Sequence, residues 1–213
     1  MNEIIEVPMN EVIATPDTAD DTAWASINTP LSVEELKLFC QDIERLFRIN
    51  PMLEFKTWEN LSDNRYRMAV KNISHDDPFE IDVEINVEQH GNEIILHYSN
   101  GIKNNTVLKI EPSTEYGSKL TITDNYDGLS EKERQLHLHE VDKSLINWAN
   151  YLQRFLITWN KWSKFGLWRW YMKRIWQPMK PAGRRVTYML LWITLVEVAL
   201  ITLGVGIYIS EFS

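Results

Sequence analysis

Five histidines, one cysteine and 30 acidic side chains are the first groups in which to look for acid–base, thiol or metal chemistry in this 213-residue chain. Their spacing builds little. His137 and His139 stand two apart in a helical stretch, about 200° round the axis, so they share no face and hold no metal together. His97 sits in an alternating run; with Ile94, Leu96 and Tyr98 turned inward, it points outward. Glu84 and Glu88 belong to the wet face of their strand, so no two carboxylates converge as an acid–base pair. No glycine-rich phosphate loop, GxSxG, CxxC or HExxH occurs. Cys40 falls among the apolar positions of a helix and reads as a small buried hydrophobe. A single cysteine closes no internal disulfide, which suits a reducing compartment. The expectation is a chain with no catalytic residue, no metal site and no cofactor, one that binds rather than reacts.

The remaining polar group of interest is Glu197, because of where it lies. Val186 to Ile209 is a run of 24 residues whose one acidic or basic side chain is Glu197. A helix of that length reaches roughly 36 Å, enough to cross a hydrocarbon core of about 30 Å. A carboxyl near the middle of such a span costs on the order of 2.5–3.5 kcal/mol, so it is either neutral or meets a polar partner on another membrane helix. Thr202 and Gly206 add a small-xxx-small pair on the same helix. Before the span comes a stretch rich in tryptophan and basic residues. Trp168, Trp170 and Trp176 alternate with Arg169, Lys173, Arg174 and Lys180, and Arg184 and Arg185 close it. Tryptophan favours the headgroup layer, and lysine and arginine reach phosphate. Beyond Gly166, Leu167, Trp168, Tyr171, Met172, Ile175 and Trp176 share one half of a helix, opposite Arg169, Trp170, Lys173 and Arg174. The pattern predicts an interfacial helix lying in the membrane plane over 161–183, with Pro178, Pro181 and Gly183 as the elbow into a span over 184–210.

Charge supports that division. Residues 1–150 hold 13 basic and 28 acidic side chains, while the rest hold nine and two. The acidic part excludes nucleic acid as a natural partner, and the basic part is drawn to an anionic membrane. The amino terminus is acidic and lacks a long apolar run, so no secretory signal is expected in it. Basic residues precede the span and none follows it. The positive-inside rule then puts the main domain on the cytoplasmic side of a single-pass anchor.

The elements that must position everything else lie between an acidic tail (1–22) and the collar. Ser32 and Glu35 have capping-box spacing at the head of a helix over Val33–Ile49, which Asn50-Pro51 ends. Alternation predicts strands over Leu53–Glu59, Arg65–Lys71, Phe79–Glu88, Glu93–Asn100, Asn104–Pro112 and Lys119–Tyr126. In the first of these, Leu53, Phe55 and Thr57 take one face against Glu54, Lys56 and Trp58. From Glu131 the period changes, and Leu138, Val141, Leu145, Trp148, Leu152, Phe155 and Trp159 form one helical stripe. Such a helix is shaped to lie across an antiparallel sheet.

The stretches TAWASINTPLSVEELKLFCQDIERLFRINPMLEFKTW and NTVLKIEPSTEYGSKLTITDNYDGLSEKE resemble the START-like, or SRPBCC, superfamily, which includes polyketide cyclase-like and lipid-transfer-like domains. The first is similar to the family's strand, helix and Asn-Pro entry to the sheet, the second to its last hairpin before the closing helix. The likeness covers about 23–160, and a hydrophobic tail is similar to that of the carbon-monoxide-dehydrogenase-associated members. The resemblance implies an α+β helix-grip fold, a curved antiparallel sheet wrapped on a long C-terminal helix, with a cavity between them. Carried over by position, Phe55, Tyr66, Met68 and Phe79 would line it, with Ile81, Val83 and Tyr98. Leu145, Trp148 and Leu152 would face them from the helix. The expected function is to bind or transfer an apolar ligand, a lipid, isoprenoid or quinone, at the membrane surface. The alternative is a non-enzymatic scaffold with a filled core, holding a membrane protein through its acidic face and the Glu197 helix.

Overall fold

The computed structural model describes residues 22–74, 78–99, 103–126 and 131–212, and for 131–143 and Phe212 the backbone alone. The expected acidic tail and the side chains of His75, His137 and His139 lie outside the described residues. Seven strands form one antiparallel sheet: β1 (Thr22–Thr29), β2 (Leu53–Ser62), β3 (Arg65–Asn72), β4 (Phe79–His90), β5 (Glu93–Tyr98), β6 (Asn105–Pro112) and β7 (Ser118–Asn125), in the spatial order β1-β7-β6-β5-β4-β3-β2. Consecutive hairpins run from β2 to β7. The first strand then pairs with the last, Ile27 opposite Leu120 and Ala25 opposite Ile122.

The capping box forms as the spacing requires: Ser32 Oγ accepts from Glu35 N–H at 3.2 Å, and the Glu35 carboxylate accepts from Ser32 N–H at 3.0 Å. The helix it starts is not continuous to Ile49. It ends at Gln41 (α1, Val33–Gln41), and Asp42 caps a second helix, α2 (Ile43–Arg48), its carboxylate accepting from Arg45 N–H at 3.2 Å. The apolar stripe hides this break, since Phe39, Cys40, Ile43 and Leu46 are buried on both sides of it. Cys40 has no exposed surface, and burial pushes its thiol up to about 12, so it behaves as a hydrophobe.

The sheet has one wet face and one dry face. Outside, cross-strand ion pairs join Arg67 to Asp82 (2.9 Å), Arg65 to Glu84 (2.8 Å) and Lys56 to Glu80. His97 lies on this face too, 3.7 Å from Glu88. Such exposed pairs add little stability and mainly keep the face soluble and in register. Inside, the buried residues alternate as period two demands, from Ala23, Ala25 and Ile27 on β1 to Val83, Ile85 and Val87 on β4. The long helix α3 (Glu131–Trp162) lies closest to β1, with Leu145, Trp148, Ala149, Leu152 and Leu156 sealed beneath it.

At the β6–β7 turn, a Cβ on Gly117 would run into the Leu31 carbonyl, and beside it Ser118 Oγ donates to that same oxygen at 2.8 Å. Backbone pressed on backbone has little room to give. Gly117→Ala is expected to cost about 2 kcal/mol or more, read as a lower denaturant midpoint.

After Trp162 the chain turns through α4 (Gly166–Tyr171), a wider π-type turn over Met172–Trp176, and α5 (Pro181–Phe212). The interruption falls just before Gly166. α5 is long and apolar enough to cross a membrane, and none of its apolar window is buried against the rest of the protein.

Candidate functional site

Two β-bulges shape the far edge of the sheet. In β2 the register slips between Phe55 and Thr57, so Phe55 stands opposite Val70 and Trp58 opposite Met68. Val70 and Met68 both face inward, and so do Phe55 and Trp58. The alternation read from the sequence puts Trp58 on the opposite face from Phe55. The extra residue, Lys56, reverses the phase, as a bulge does. Trp58 therefore joins an aromatic chain that includes Phe55 (6.2 Å between centroids), Tyr66 (5.4 Å) and, from α2, Phe47 (6.4 Å). Phe47 in turn stacks on Trp148 at 5.5 Å, and Trp148 Nε1–H donates to the Leu46 carbonyl at 3.2 Å.

The inner face is sealed unevenly. On β7 and β6, Leu120, Ile122 and Leu108 have no exposed surface, and Ile110 has 1%. On β2 to β5, Phe55, Trp58, Tyr66, Ile81 and Tyr98 face the same way yet stay only partly buried. Of the lining expected from the sequence, Phe55, Tyr66, Ile81 and Tyr98 gather at this open end, with Phe79 partly buried at the start of β4. Met68, Val83, Leu145, Trp148 and Leu152 lie behind it, each 5% exposed or less, in the packed core.

Sequence reasoning finds no titratable group on the inner face; the structure places one there. Asp124 is fully buried. Its carboxylate pairs with the Lys103 ammonium and accepts from Thr106 Oγ1–H at 2.5 Å and from Tyr126 Oη–H at 3.4 Å. Tyr98 Oη lies 2.9 Å from Thr106 Oγ1. The signal was present in the strand's phase: Asp124 continues the inward series Leu120, Ile122, and Thr106 that of Leu108 and Ile110. Among the described residues no cluster of three His, Cys, Asp or Glu side chains is arranged to hold a metal ion.

The collar differs from the expected interfacial helix. Trp168 packs on Trp159 at 5.4 Å, Trp176 on Phe155 at 5.6 Å, and Met172 is 9% exposed. Trp168, Met172 and Trp176 of the apolar half are thus packed on the domain, while Leu167 of the same half stays exposed. Arg169, Trp170, Lys173 and Arg174 are left exposed, beside Trp162, Phe165 and Leu167 at the α3–α4 corner. Beneath the collar the Arg45 guanidinium is buried against the rings of Trp159 (3.7 Å), Phe39 (4.5 Å) and Phe155 (5.3 Å), and loss of solvent lowers it to about 10.

Arg184 joins α5 to the domain. Its guanidinium donates to the carbonyls of Arg48 (2.7 Å), Gln177 (2.8 Å) and Trp176 (3.1 Å) and lies 4.1 Å from the Trp176 ring centre. Arg48 itself covers Phe55 at 4.6 Å. Lys180 comes within 3.9 Å of Glu54. The open end of the sheet therefore adjoins the start of the apolar helix. Arg185 sits at that start, and Glu197 lies exposed on α5. Thr202 Oγ1–H donates back to the Val198 carbonyl at 2.8 Å within its own helix.

No family model and no curated protein matches the chain. Solved structures do. A START superfamily protein from Mycobacterium smegmatis is 14% identical, with 63% of this chain and 96% of that one covered at a TM-score of 0.50. A second protein from Mycobacterium smegmatis is 13% identical, with 68% and 96% covered at the same TM-score of 0.50. A STAR-related lipid transfer protein fragment from Xanthomonas axonopodis is a looser match, 9% identical, covering 63% and 85% at 0.47. The two matches at 0.50 show the fold: residues from β1 through α3 form an α+β helix-grip domain.

Proposed function

We propose that this chain is a membrane-anchored helix-grip domain that takes an apolar molecule from the bilayer into the open end of its sheet and transforms no bond. The observation that carries the reading is the uneven sealing of the inner face. On one inner face, Trp58, Tyr66 and Tyr98 keep some surface where Leu108, Leu120 and Ile122 have none, which leaves an aromatic-lined edge that a ligand could cover. Each methylene a ligand buries there contributes about 0.8 kcal/mol. The neighbours' descriptions, a START superfamily protein and a lipid transfer protein, fit such a use.

The anchor supplies the rest. Phe55, at the rim, lies under Arg48, whose carbonyl holds Arg184 at the head of α5. A molecule leaving the bilayer beside α5 thus meets the cup without a long passage through water. The exposed basic face of the collar, Arg169, Lys173 and Arg174, approaches the headgroups, and the positive-inside rule puts the domain on the cytoplasmic side. The scaffold alternative draws less support, because much of the outer acidic face is already paired with Arg65, Arg67 and Lys56.

Native mass spectrometry of the detergent-extracted full chain tests the proposal. The expected spectrum carries an adduct of lipid-like mass that Ile81→Trp, which fills the cup from a partly buried position, strongly depletes. A chain that leaves the membrane at its bare mass under gentle activation overturns it.

A further inference from the structure

The inner face carries a group that apolar packing does not call for. Asp124, with no exposed surface, interrupts the apolar series on β7. A buried carboxylate–ammonium pair is weak evidence for stability, since desolvation offsets most of the attraction. The direction of the hydrogen bonds around it is more informative. Paired with the Lys103 ammonium, the Asp124 carboxylate only accepts. Thr106 therefore spends its one proton on Asp124 at 2.5 Å and accepts with its oxygen. Tyr98, 2.9 Å away, must then be the donor to Thr106. Its proton is committed, and its oxygen has lone pairs alone to offer. Burial, helped by the Asp124 charge, pushes the Tyr98 phenol far up, so it keeps that proton throughout the physiological range.

Tyr98 is partly buried on the inner face, with its Oη at the deep side against the buried Thr106. It pairs with Ile85, which pairs with Tyr66, so the phenol shares an inward row with the half-buried aromatics. We infer that the polar end of the cup is an acceptor set by the chain Lys103–Asp124–Thr106–Tyr98, and that it selects apolar molecules bearing a hydroxyl over ketones or quinones of the same shape. A hydroxyl donates to Tyr98 Oη. A carbonyl oxygen meets lone pairs there and loses its hydrogen bonds to water without replacement. This inference rests on the cup proposed above and narrows its ligand to an alcohol-headed lipid or isoprenoid.

The test uses the full chain in phosphatidylcholine nanodiscs, titrated with 1-dodecanol, 2-dodecanone and dodecane, with tryptophan fluorescence as readout and empty nanodiscs as the partition control. The alcohol should bind about 3–10-fold more tightly than the ketone, the worth of one net hydrogen bond. Tyr98→Phe should abolish that preference while keeping the ketone's affinity. Thr106→Val should free the Tyr98 proton and shift the preference toward the ketone. Equal affinities for alcohol and ketone in the unsubstituted chain, or a preference that survives both substitutions, overturns the acceptor assignment and leaves the cup standing. No response to any of the three probes overturns the cup itself.

Discussion

Alanine at Trp148 is expected to cost about 3–5 kcal/mol, the range for deleting a buried large aromatic, and to lower the melting temperature of the domain by about 10 °C. The indole is 3% exposed and joins α3 to α2. It projects from α3, stacks on Phe47 of α2 with 15° between the rings, and donates to the Leu46 carbonyl. Alanine leaves a cavity between α3 and α2 and deprives the Leu46 oxygen of a donor. Trp148→Phe separates the two effects: it keeps an aromatic ring against Phe47 and should cost about 1–3 kcal/mol, chiefly for the lost hydrogen bond and the smaller volume. Near-UV circular dichroism of the detergent-solubilised chain follows both. Equal melting temperatures for the alanine variant and the parent would show that the indole is not part of the packed core.

If α5 is the anchor proposed above, the full chain resists alkaline carbonate, and ending it after Arg185 is expected to yield a protein that carbonate releases. All that would then hold the bilayer is the exposed collar. Arg169, Lys173 and Arg174 each contribute about 1 kcal/mol at an anionic surface, a binding that salt weakens. The shortened chain should therefore sediment with anionic vesicles at low salt and leave them at high salt. Vesicles without anionic lipid should not retain it. Keeping Arg184 preserves its contacts with Arg48, Trp176 and Gln177, so the loss is assigned to the apolar run rather than to a loosened collar. Full retention at high salt would defeat the assignment of α5 as the anchor.

The parts of the fold that sequence reveals are those where one periodicity runs undisturbed. β4 alternates from Phe79 to Glu88 without a slip, and its inward residues are the ones the pattern names. The stripe on α3 is equally plain where its side chains are described: Leu145, Trp148, Leu152 and Phe155 are all buried. Legibility fails where one residue changes the phase. Lys56 as a bulge turns Trp58 inward, and nothing in LEFKTWENLS announces the insertion. Asp42 breaks a helix whose apolar face continues across the break, so the stripe alone reads as one helix. The collar fails for another reason. An amphipathic face states that it needs an apolar partner, not which one, and here Trp176 and Trp168 take Phe155 and Trp159. Asp124 was legible in its position but not in its use. Phase puts it inside, while its three partners come from Lys103, Thr106 and Tyr126, brought together by strand register.

The Arg184 fork has a mechanical consequence. A guanidinium that donates to three carbonyls, on the collar and on α2, is a rigid bracket rather than a swivel. A membrane helix answers a thinner bilayer by leaning over. On the anchored reading proposed above, α5 welded at its first turn would carry the whole sheet with it, so the proposed mouth beside Phe55 would tip toward or away from the lipid as membrane thickness changes. Loading would then vary between thick and thin membranes with no effector molecule at all, and Arg184→Ala would uncouple the two.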